Sequence, residues 1–375
     1  MTRRVDVVYF DAASGHRSAA QAVVAALQAR RPEWLVRAVD LLDVIAGNRG
    51  FWLSSRAGIG YFNWMVRRDR VWDLKGLIRL SIGICEGLRP VGLRRIATFW
   101  RDRPPDAVVS VTPMNNEPLF RALRLVASAA PYITIPVDFE EVLPRYWFTP
   151  AVDAHYLVAS KRLREQALEA GVPEDRIRCL SGMVVDPAFY EPPPADIPGE
   201  IARLGLDPER PLGLVSYGGQ GSRAVLDIAR QLARVQQPIN AIFLCGRNQR
   251  LKAALEALSL PYPRLVLGYS DQPPAYYHHL ASFLVGKPGS MTITEALVTD
   301  TPLLAIKSTG MAPVQRGNEA WLEAHGAGLV VAGRKALPAA VERVLGGGFP
   351  ALSGGRERSR GVFEAAAAIE ELAAA

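Results

Sequence analysis

The chain has few of the residues that build metal centres and disulfide frameworks. Its 375 residues include three cysteines and five histidines. Cys85, Cys179 and Cys245 lie far apart in sequence, and only His278 and His279 are adjacent, so no pair has the spacing of zinc ligands. We therefore expect no structural metal and no disulfide scaffold, with the three cysteines reduced and buried as small apolar residues.

Long apolar runs are also missing. No stretch approaches the ~18 uninterrupted apolar residues that span a bilayer, and the chain enters a predicted strand at Arg4 without the apolar core of a signal peptide. These absences predict a cytoplasmic protein. A composition of 49% hydrophobic and 22% charged residues is typical of a globular protein, and 375 residues suffice for two domains that each bury a core.

Positive charge is concentrated in residues 49–103, where twelve Lys or Arg residues accompany four Asp or Glu residues. The net charge of the whole chain is +7, so the remainder is close to neutral. Tryptophans and tyrosines are interleaved with these cations, a composition that suits an anionic membrane surface because indoles settle at headgroup depth and cations meet lipid phosphates. The candidate contacts to the membrane or to an acceptor are Arg56, Trp64, Arg67, Arg68 and Trp72.

Two other interpretations of this basic aromatic segment exist. It can be a solvated helical face with its aromatics in the core, or a nucleic-acid surface. No nucleic-acid-binding motif accompanies it, so we expect no nucleic acid partner.

Strand and helix patterns alternate along the chain and predict an α/β fold with parallel, doubly wound sheets. Apolar runs predict strands at residues 4–10, 35–40, 107–111, 132–138, 154–160, 177–180, 212–217, 239–245, 264–268, 282–285, 302–306 and 326–331. The proline-rich residues 190–194 break this pattern. We predict two Rossmann-like domains that face a cleft, residues 1–190 and 191–357, and a C-terminal helix, residues 358–375, that packs back on the first domain.

The strongest candidate for a ligand site is at residues 286–297, where a predicted strand turns through Pro288 and Gly289 into a helix. A helix start exposes backbone N–H groups and the positive end of the helix dipole, which favours a phosphate at Gly289, Ser290, Met291 and Thr292. Glu295 lies one turn later and can accept from the hydroxyls of a ribose. The alternative is that the turn merely ends a strand and that Glu295 complements the dipole.

Other turns at predicted strand ends support a ligand site in the second domain. Gly218, Gly219, Gln220 and Gly221 precede a predicted helix, and the glycines let the backbone approach a ligand closely, although the motif fits neither the dinucleotide fingerprint nor the Walker loop. This mismatch argues against an NAD-dependent dehydrogenase. Arg247 follows the next strand and is available to a phosphate or a base. We assign the tyrosines and histidines at residues 276–279 to a helix surface.

The first domain carries the candidate acid–base groups. His16 follows a turn of small residues at the start of a predicted helix, where the dipole holds the imidazole neutral and able to act as a general base. A histidine that only caps the helix is the alternative. Asp138, Glu140 and Glu141 cluster after the strand at residues 132–138 and can hold an acceptor or take its proton.

A series of segments carries a family resemblance. These are residues 14–20, 147–153, 182–189, 218–221, 245–248, 268–269 and 287–297, followed by Gln315, Asn318 and residues 326–328. In order and spacing they resemble the inverting, GT-B-fold glycosyltransferases that include plant monogalactosyldiacylglycerol synthase, bacterial processive diacylglycerol glucosyltransferase and, more distantly, the enzyme that adds N-acetylglucosamine to lipid I.

The resemblance implies roles for individual residues. It implies that His16 is the base or an acceptor-site residue and that Glu295 binds the donor ribose. It also implies that two glycine turns, residues 218–221 and 289–292, surround the diphosphate. Tyr269 would lie by the uracil, with Gln315 and Asn318 by the donor sugar. Asp138 and Glu141 stay open as alternative bases.

The activity implied is inverting, metal-independent transfer of a hexose from a UDP-sugar to a lipid such as diacylglycerol, with no cofactor, at the cytoplasmic face of a membrane. Two alternatives share the donor site: transfer to a soluble acceptor and nucleotide-sugar 2-epimerisation. A nucleotide-sugar-binding protein without catalysis is a third.

Overall fold

A computed structural model describes residues 2–10, 15–45, 76, 89–149, 152–219, 221–307, 312–349 and 354–374. The candidate membrane contacts Arg56, Trp64, Arg67, Arg68 and Trp72 lie outside these residues, as do Gln220 and Cys85. The described chain divides into two compact units. One contains the described residues up to Pro187 together with those from Arg360 onward, and the other contains the described residues of Ala188–Ser359.

The first unit contains a six-stranded sheet in the order β2-β1-β3-β4-β5-β6, with every pairing parallel. Its strands are β1 (Arg4–Tyr9), β2 (Leu35–Asp40), β3 (Ala107–Ser110), β4 (Tyr132–Thr134), β5 (His155–Val158) and β6 (Ile177–Cys179). The central strands β3 and β4 are buried throughout, as apolar runs covered by helices on both faces require. β4 is shorter than predicted, because Pro136 has no N–H to continue the ladder.

The helices of the first unit connect these strands. They are α1 (Gly15–Arg30), α2 (Leu41–Ile45), α3 (Arg89–Arg101), α4 (Asn116–Val126) and α5 (Lys161–Glu169). Short 3-10 turns follow at Glu174–Arg176 and, at the junction of the two units, at Pro187–Tyr190.

The second unit repeats the design with a six-stranded parallel sheet in the order β12-β11-β10-β7-β8-β9. Its strands are β7 (Leu212–Ser216), β8 (Asn240–Leu244), β9 (Arg264–Leu267), β10 (Phe283–Gly286), β11 (Leu303–Ile306) and β12 (Gly328–Val331). Its helices are α6 (Ile197–Arg203), α7 (Ala224–Leu232), α8 (Gln249–Glu256), α9 (Pro274–Leu280), α10 (Ser290–Val298), α11 (Ala312–Ala324), α12 (Leu337–Leu345) and α13 (Gly355–Arg358), with a 3-10 turn at Arg334–Ala336. The predicted α/β class with two parallel sheets is confirmed.

The last helix, α14 (Gly361–Ala374), packs on α1 of the first unit. Its carboxylates pair with arginines of that unit: Glu370 with Arg30 and Arg31, and Glu371 with Arg178 at 2.6 Å. Gly361 allows a backbone contact, because a Cβ there would lie 1.8 Å from the Gly182 carbonyl oxygen.

Trp100, in the basic aromatic segment, is 1% exposed, and its indole donates to the buried Asp6 carboxylate at 2.8 Å, so for this residue the alternative of a core aromatic holds. Two expectations about other side chains are wrong. Cys179 is exposed because it ends the edge strand β6. His278 is buried against Phe189 rather than on a helix surface, since α9 turns it inward, and burial lowers the pKa of His278 to about 3.

Candidate functional site

The turn after β10 forms a helix N-terminus at the carboxyl edge of the second sheet. Gly289 is the extended N-cap of α10, and its carbonyl accepts from the Ile293 N–H at 2.9 Å. The Met291 and Thr292 N–H groups come before this first helical bond, so helix geometry gives them no intrahelical acceptor. Together with the helix dipole, they can bind an anion.

The loop after β7 lies beside this turn. β7 and β10 are paired in parallel, with Val215 opposite Val285, so the chain leaves both strands at the same edge. The ring of Phe283 fills the space above Gly213, where an added Cβ would lie 2.5 Å from the ring. This register brings the glycine loop and the start of α10 to one place.

The glycine loop also contacts the loop after β8 through backbone atoms. The Arg247 N–H donates to the Gly219 carbonyl at 3.0 Å. Gly246 has a φ of 54°, and a Cβ there would lie 2.4 Å from the same carbonyl oxygen. Glycine is therefore required at position 246 for this contact to form. Gly218 and Gly221 also have positive φ, so the loop follows a backbone path that favours glycine.

Cations and aromatic rings surround these loops. The Arg247 guanidinium lies 5.8 Å from the ring centroid of Tyr269, whose side chain is 71% exposed. The Lys287 ammonium lies 5.6 Å from the ring of Tyr217. An exposed ring beside a guanidinium offers a flat surface to a base, and the ammonium adds positive charge at the end of β10.

Glu295 is in the second turn of α10 and is half-buried. Asn318, on α11, is 4% exposed, and its amide donates to the Pro288 carbonyl at 3.0 Å. This bond gives Asn318 a role in supporting the turn that the sequence pattern did not indicate. The side chain of Gln315 lies outside the described atoms.

In the first unit, His16 is the second residue of α1, at the carboxyl edge of β1. Its Nδ1 lies 2.9 Å from the Val111 carbonyl oxygen. A carbonyl only accepts, so we assign the hydrogen to Nδ1, which makes Nε2 the unprotonated nitrogen of the neutral ring. That tautomer is the one a general base needs.

Asp138 lies past the end of β4 beside the buried indole of Trp147. The indole Nε1 donates to Asp138 Oδ2 at 3.2 Å, and the same ring lies 6.0 Å from the His16 ring, centroid to centroid. Burial raises the pKa of Asp138 to about 6, and the negative charge of Glu140 adds to the rise, while the Trp147 hydrogen bond opposes it. The structure thus places two of the predicted acid–base groups, Asp138 and His16, next to the same indole ring.

The Glu141 carboxylate bonds to backbone N–H groups, unlike Asp138, which bonds to the indole. Its Oε1 accepts from the backbone N–H groups of Trp147 at 2.8 Å and Phe148 at 3.1 Å. Burial raises the pKa of Glu141, and these backbone bonds oppose the rise. The carboxylate therefore holds the loop that carries Trp147, a partner set that disfavours the predicted role of base.

Asn116 is a supporting residue that sequence reasoning missed. It is 1% exposed, its Oδ1 accepts from Ser110 at 2.7 Å and Tyr132 at 2.9 Å, and its Nδ2 donates to the Trp147 carbonyl at 3.2 Å. Nearby, Met114 adopts a φ of 65°. Asn115 and Asn116 follow the strand at 107–111 in the sequence, but the partners Tyr132 and Trp147 of Asn116 come from distant segments.

Two features are absent from the described residues. Among them, no helix is long and apolar enough to cross a membrane. In the same parts of the chain, no three His, Cys, Asp or Glu residues are grouped to hold a metal ion.

Comparison with protein-family models divides the chain at the same place as its fold. The model described as monogalactosyldiacylglycerol (MGDG) synthase matches residues 16–185, and the model described as the glycosyltransferase family 28 C-terminal domain matches residues 214–360. The first match begins at His16, and the second contains both glycine turns.

Curated relatives point in the same direction. The chain is 26% identical over 247 residues to the processive diacylglycerol beta-glucosyltransferase of Bacillus licheniformis, a match that covers 64% of this chain and 61% of that protein. It is 25% identical over 343 residues to monogalactosyldiacylglycerol synthase 1, chloroplastic, of Arabidopsis thaliana, covering 87% of this chain and 62% of the relative. The chain therefore spans about three fifths of the length of these relatives.

A solved structure supports the fold. MurG of Acinetobacter baumannii matches with a TM-score of 0.60 at 14% identity, over 98% of this chain and 99% of that one. Together with the two parallel sheets, this likeness assigns two Rossmann-like domains of the GT-B fold.

Proposed function

We propose that this chain, which belongs to the glycosyltransferases that join a monogalactosyldiacylglycerol synthase domain to a family 28 C-terminal domain, transfers a hexose from a UDP-sugar to a lipid acceptor such as diacylglycerol. The Bacillus and Arabidopsis relatives are named for different sugars, but both names contain diacylglycerol. The acceptor is therefore the better supported half of the proposal, and the sugar stays open.

One observation carries the proposal. The two family models match the chain in order, and the second contains the loops that the structure brings together at one sheet edge. A helix start, a glycine loop and two cations at that edge fit the diphosphate and base of a nucleotide sugar.

On the donor side, the N–H groups at the start of α10 and the glycine loop would hold the diphosphate. Negative charge grows on the diphosphate as the sugar leaves, and oriented amides and a helix dipole stabilise that charge without reorganising. We propose that these groups, with Lys287, do the work of a divalent ion, which makes the reaction metal-independent. Glu295 would accept from the ribose hydroxyls.

On the acceptor side, a hydroxyl would lose its proton to Nε2 of His16 or to Asp138 while its oxygen attacks the anomeric carbon. UDP leaves from the opposite face, so the configuration at that carbon inverts and an α-linked donor gives a β-linked product. Holding both substrates in place supplies much of the remaining rate.

We further propose that the enzyme is cytoplasmic and meets its acceptor at an anionic membrane surface, through the basic aromatic segment at residues 49–103. The charge excess of that segment is the supporting observation. Cations within a Debye length of anionic lipids gain roughly 1 kcal/mol each.

The test is transfer from radiolabelled UDP-sugars to a total lipid extract, with the label followed into the organic phase. Label in the organic phase identifies both the reaction and the sugar. Release of free sugar or a converted UDP-sugar without acceptor would instead indicate an epimerase or hydrolase. Label confined to water in the presence of a soluble acceptor would overturn the lipid assignment.

A further inference from the structure

The side chain of Trp147 joins the two candidate acid–base groups of the first unit. Its indole N–H donates to Asp138 Oδ2 at 3.2 Å, and its ring lies 6.0 Å from the ring of His16. We propose that Trp147 is a positioning residue that fixes the Asp138 carboxyl beside His16, so that Oδ2 is held and Oδ1 is presented to the acceptor hydroxyl. This inference rests on the proposed function.

Trp147 is itself fixed at both backbone groups. Its N–H donates to Glu141 Oε1 at 2.8 Å, and its carbonyl accepts from Asn116 Nδ2 at 3.2 Å. The side chain is fully buried. Because the backbone and the ring of Trp147 are both held, its indole N–H points in one direction. This fixes the orientation of the Asp138 carboxyl that accepts from it.

Glu141 and Asn116 both bond to the backbone of the loop that carries Trp147, and the positioning role of Trp147 gives those bonds a function. Asn116 is also bonded to Ser110 and Tyr132, on β3 and β4, so it ties the loop to the strands that flank the site. A hydrogen bond to a fixed donor orients a reacting group, and a misplacement of about 1 Å at such a site can cost roughly 100-fold in rate.

Several charged or titratable groups near Asp138 affect the ionisation of its carboxyl. Glu140 disfavours the carboxylate, and the pKa of the Tyr146 phenol is raised by burial and, to a lesser degree, by the charge of Asp138. His16 lies across the Trp147 ring. Among these neighbours, the Trp147 N–H is the group that stabilises ionised Asp138.

The first experiment is Trp147→Phe, which keeps a large ring and removes the N–H donor. Because that bond favours the carboxylate, its loss raises the pKa of Asp138, and we expect the acidic limb of the kcat/KM profile to move upward by about one pH unit. We expect kcat to fall roughly 10- to 100-fold, while UDP affinity, measured by calorimetry, stays unchanged.

Trp100→Phe is the matched control. Trp100 is a buried tryptophan of the same unit that donates to a different aspartate, the buried Asp6, away from the site. This variant loses an equivalent bond, so we expect lower thermal stability with an unshifted pH profile. Equal movement of the acidic limb in both variants would overturn the proposal.

A direct measurement separates this inference from the proposed function. In wild-type protein labelled with 15N-tryptophan, the Trp147 indole N–H resonance should titrate with a midpoint near pH 6, following Asp138. An indole signal that does not respond to pH between about 5 and 7 would overturn the positioning role, whether or not Trp147→Phe folds. A clear titration with no sugar transfer to any lipid would instead reject the proposed function and leave the contact intact.

Discussion

At the scale of single residues, Asp138 of the first unit lies where ionisation of its carboxyl is unfavourable. Asp138 lies among buried groups and beside Glu140, and burial raises its pKa from 3.8 to about 6. A structure optimised for stability alone would place a neutral side chain there. An acid held near neutrality in this way is typical of a group that exchanges a proton during a reaction.

Asp138→Asn should therefore stabilise the protein in a pH-dependent way. A folded-state pKa above the unfolded value favours folding below pH 3.8, and that advantage is lost as pH rises through about 6. Above about pH 6 the substitution should add up to about 3 kcal/mol to the free energy of unfolding, and below about pH 4 nearly nothing. Urea unfolding at about pH 4 and about pH 7.5 measures both, with the exposed Asp271→Asn as control. A gain that is equal at both pH values would show that ionisation of Asp138 is not its cause.

Gly246→Ala should disrupt the contact between the glycine loop after β7 and the loop after β8. Alanine at this position combines a φ of 54° with a Cβ 2.4 Å from the Gly219 carbonyl oxygen, so the two loops must separate. We expect a loss of about 2–4 kcal/mol in the free energy of unfolding and at least a roughly tenfold weaker affinity for UDP.

Gly326→Ala is the control for backbone strain. Gly326 has a φ of 62°, but an added Cβ there meets no atom within 4 Å. It should lose about 1 kcal/mol of stability and keep its UDP affinity. Calorimetric titration of UDP distinguishes the two variants, and equal affinities would show that the loop contact does not shape the site.

Residue types were readable from the sequence, but their partners were not. The turn after β4 was correctly identified as acidic, and nothing in it shows that Glu141 bonds to the backbone of Trp147 while Asp138 bonds to its indole. The two carboxylates are three positions apart. Their roles are decided by a loop of bulky residues whose path depends on tertiary packing.

At the scale of secondary-structure elements, the sequence was more informative. Each predicted apolar run bounded by turn residues became a parallel strand, because a strand covered on both faces needs such a run and little else. α9 shows where this reasoning fails. Its two tyrosines and two histidines have no clear apolar stripe, yet Tyr277 and His278 are buried, since α9 packs on α6 and β7.

The docking of α14 on the first unit gives an element-scale prediction. Gly361→Ala would place a Cβ 1.8 Å from the Gly182 carbonyl oxygen, so the start of the helix must move away. We expect a loss of about 2–4 kcal/mol in the free energy of unfolding of the first unit. Gly92→Ala is the control, because a Cβ at this helical glycine in the same unit meets open space and should add about 0.5–1 kcal/mol. Thermal melts of the full chain compare them, and unaltered stability in Gly361→Ala would mean that this close contact does not hold the helix.

At the scale of the whole molecule, the distribution of charge matters more than its total. The chain carries +7, and the excess lies in residues 49–103. If the total charge governed membrane binding, arginines anywhere on the surface would contribute equally. If the segment itself docks on lipid, only its own cations would contribute, because attraction to the surface falls off within a Debye length of about 8 Å at physiological salt.

Two charge-matched double variants separate these possibilities. Arg67→Glu with Arg68→Glu reverses two charges inside the segment, and Arg234→Glu with Arg343→Glu reverses two exposed charges in the second unit. Both lower the net charge by four, from +7 to +3. We expect the first pair to weaken sedimentation with phosphatidylglycerol vesicles at least roughly tenfold, at about 1 kcal/mol per cation, and the second to change it little. UDP affinity should be unaltered in both pairs. Because the variants have the same net charge, equal weakening would show that the protein binds lipid through its overall charge and that residues 49–103 are not a docking surface.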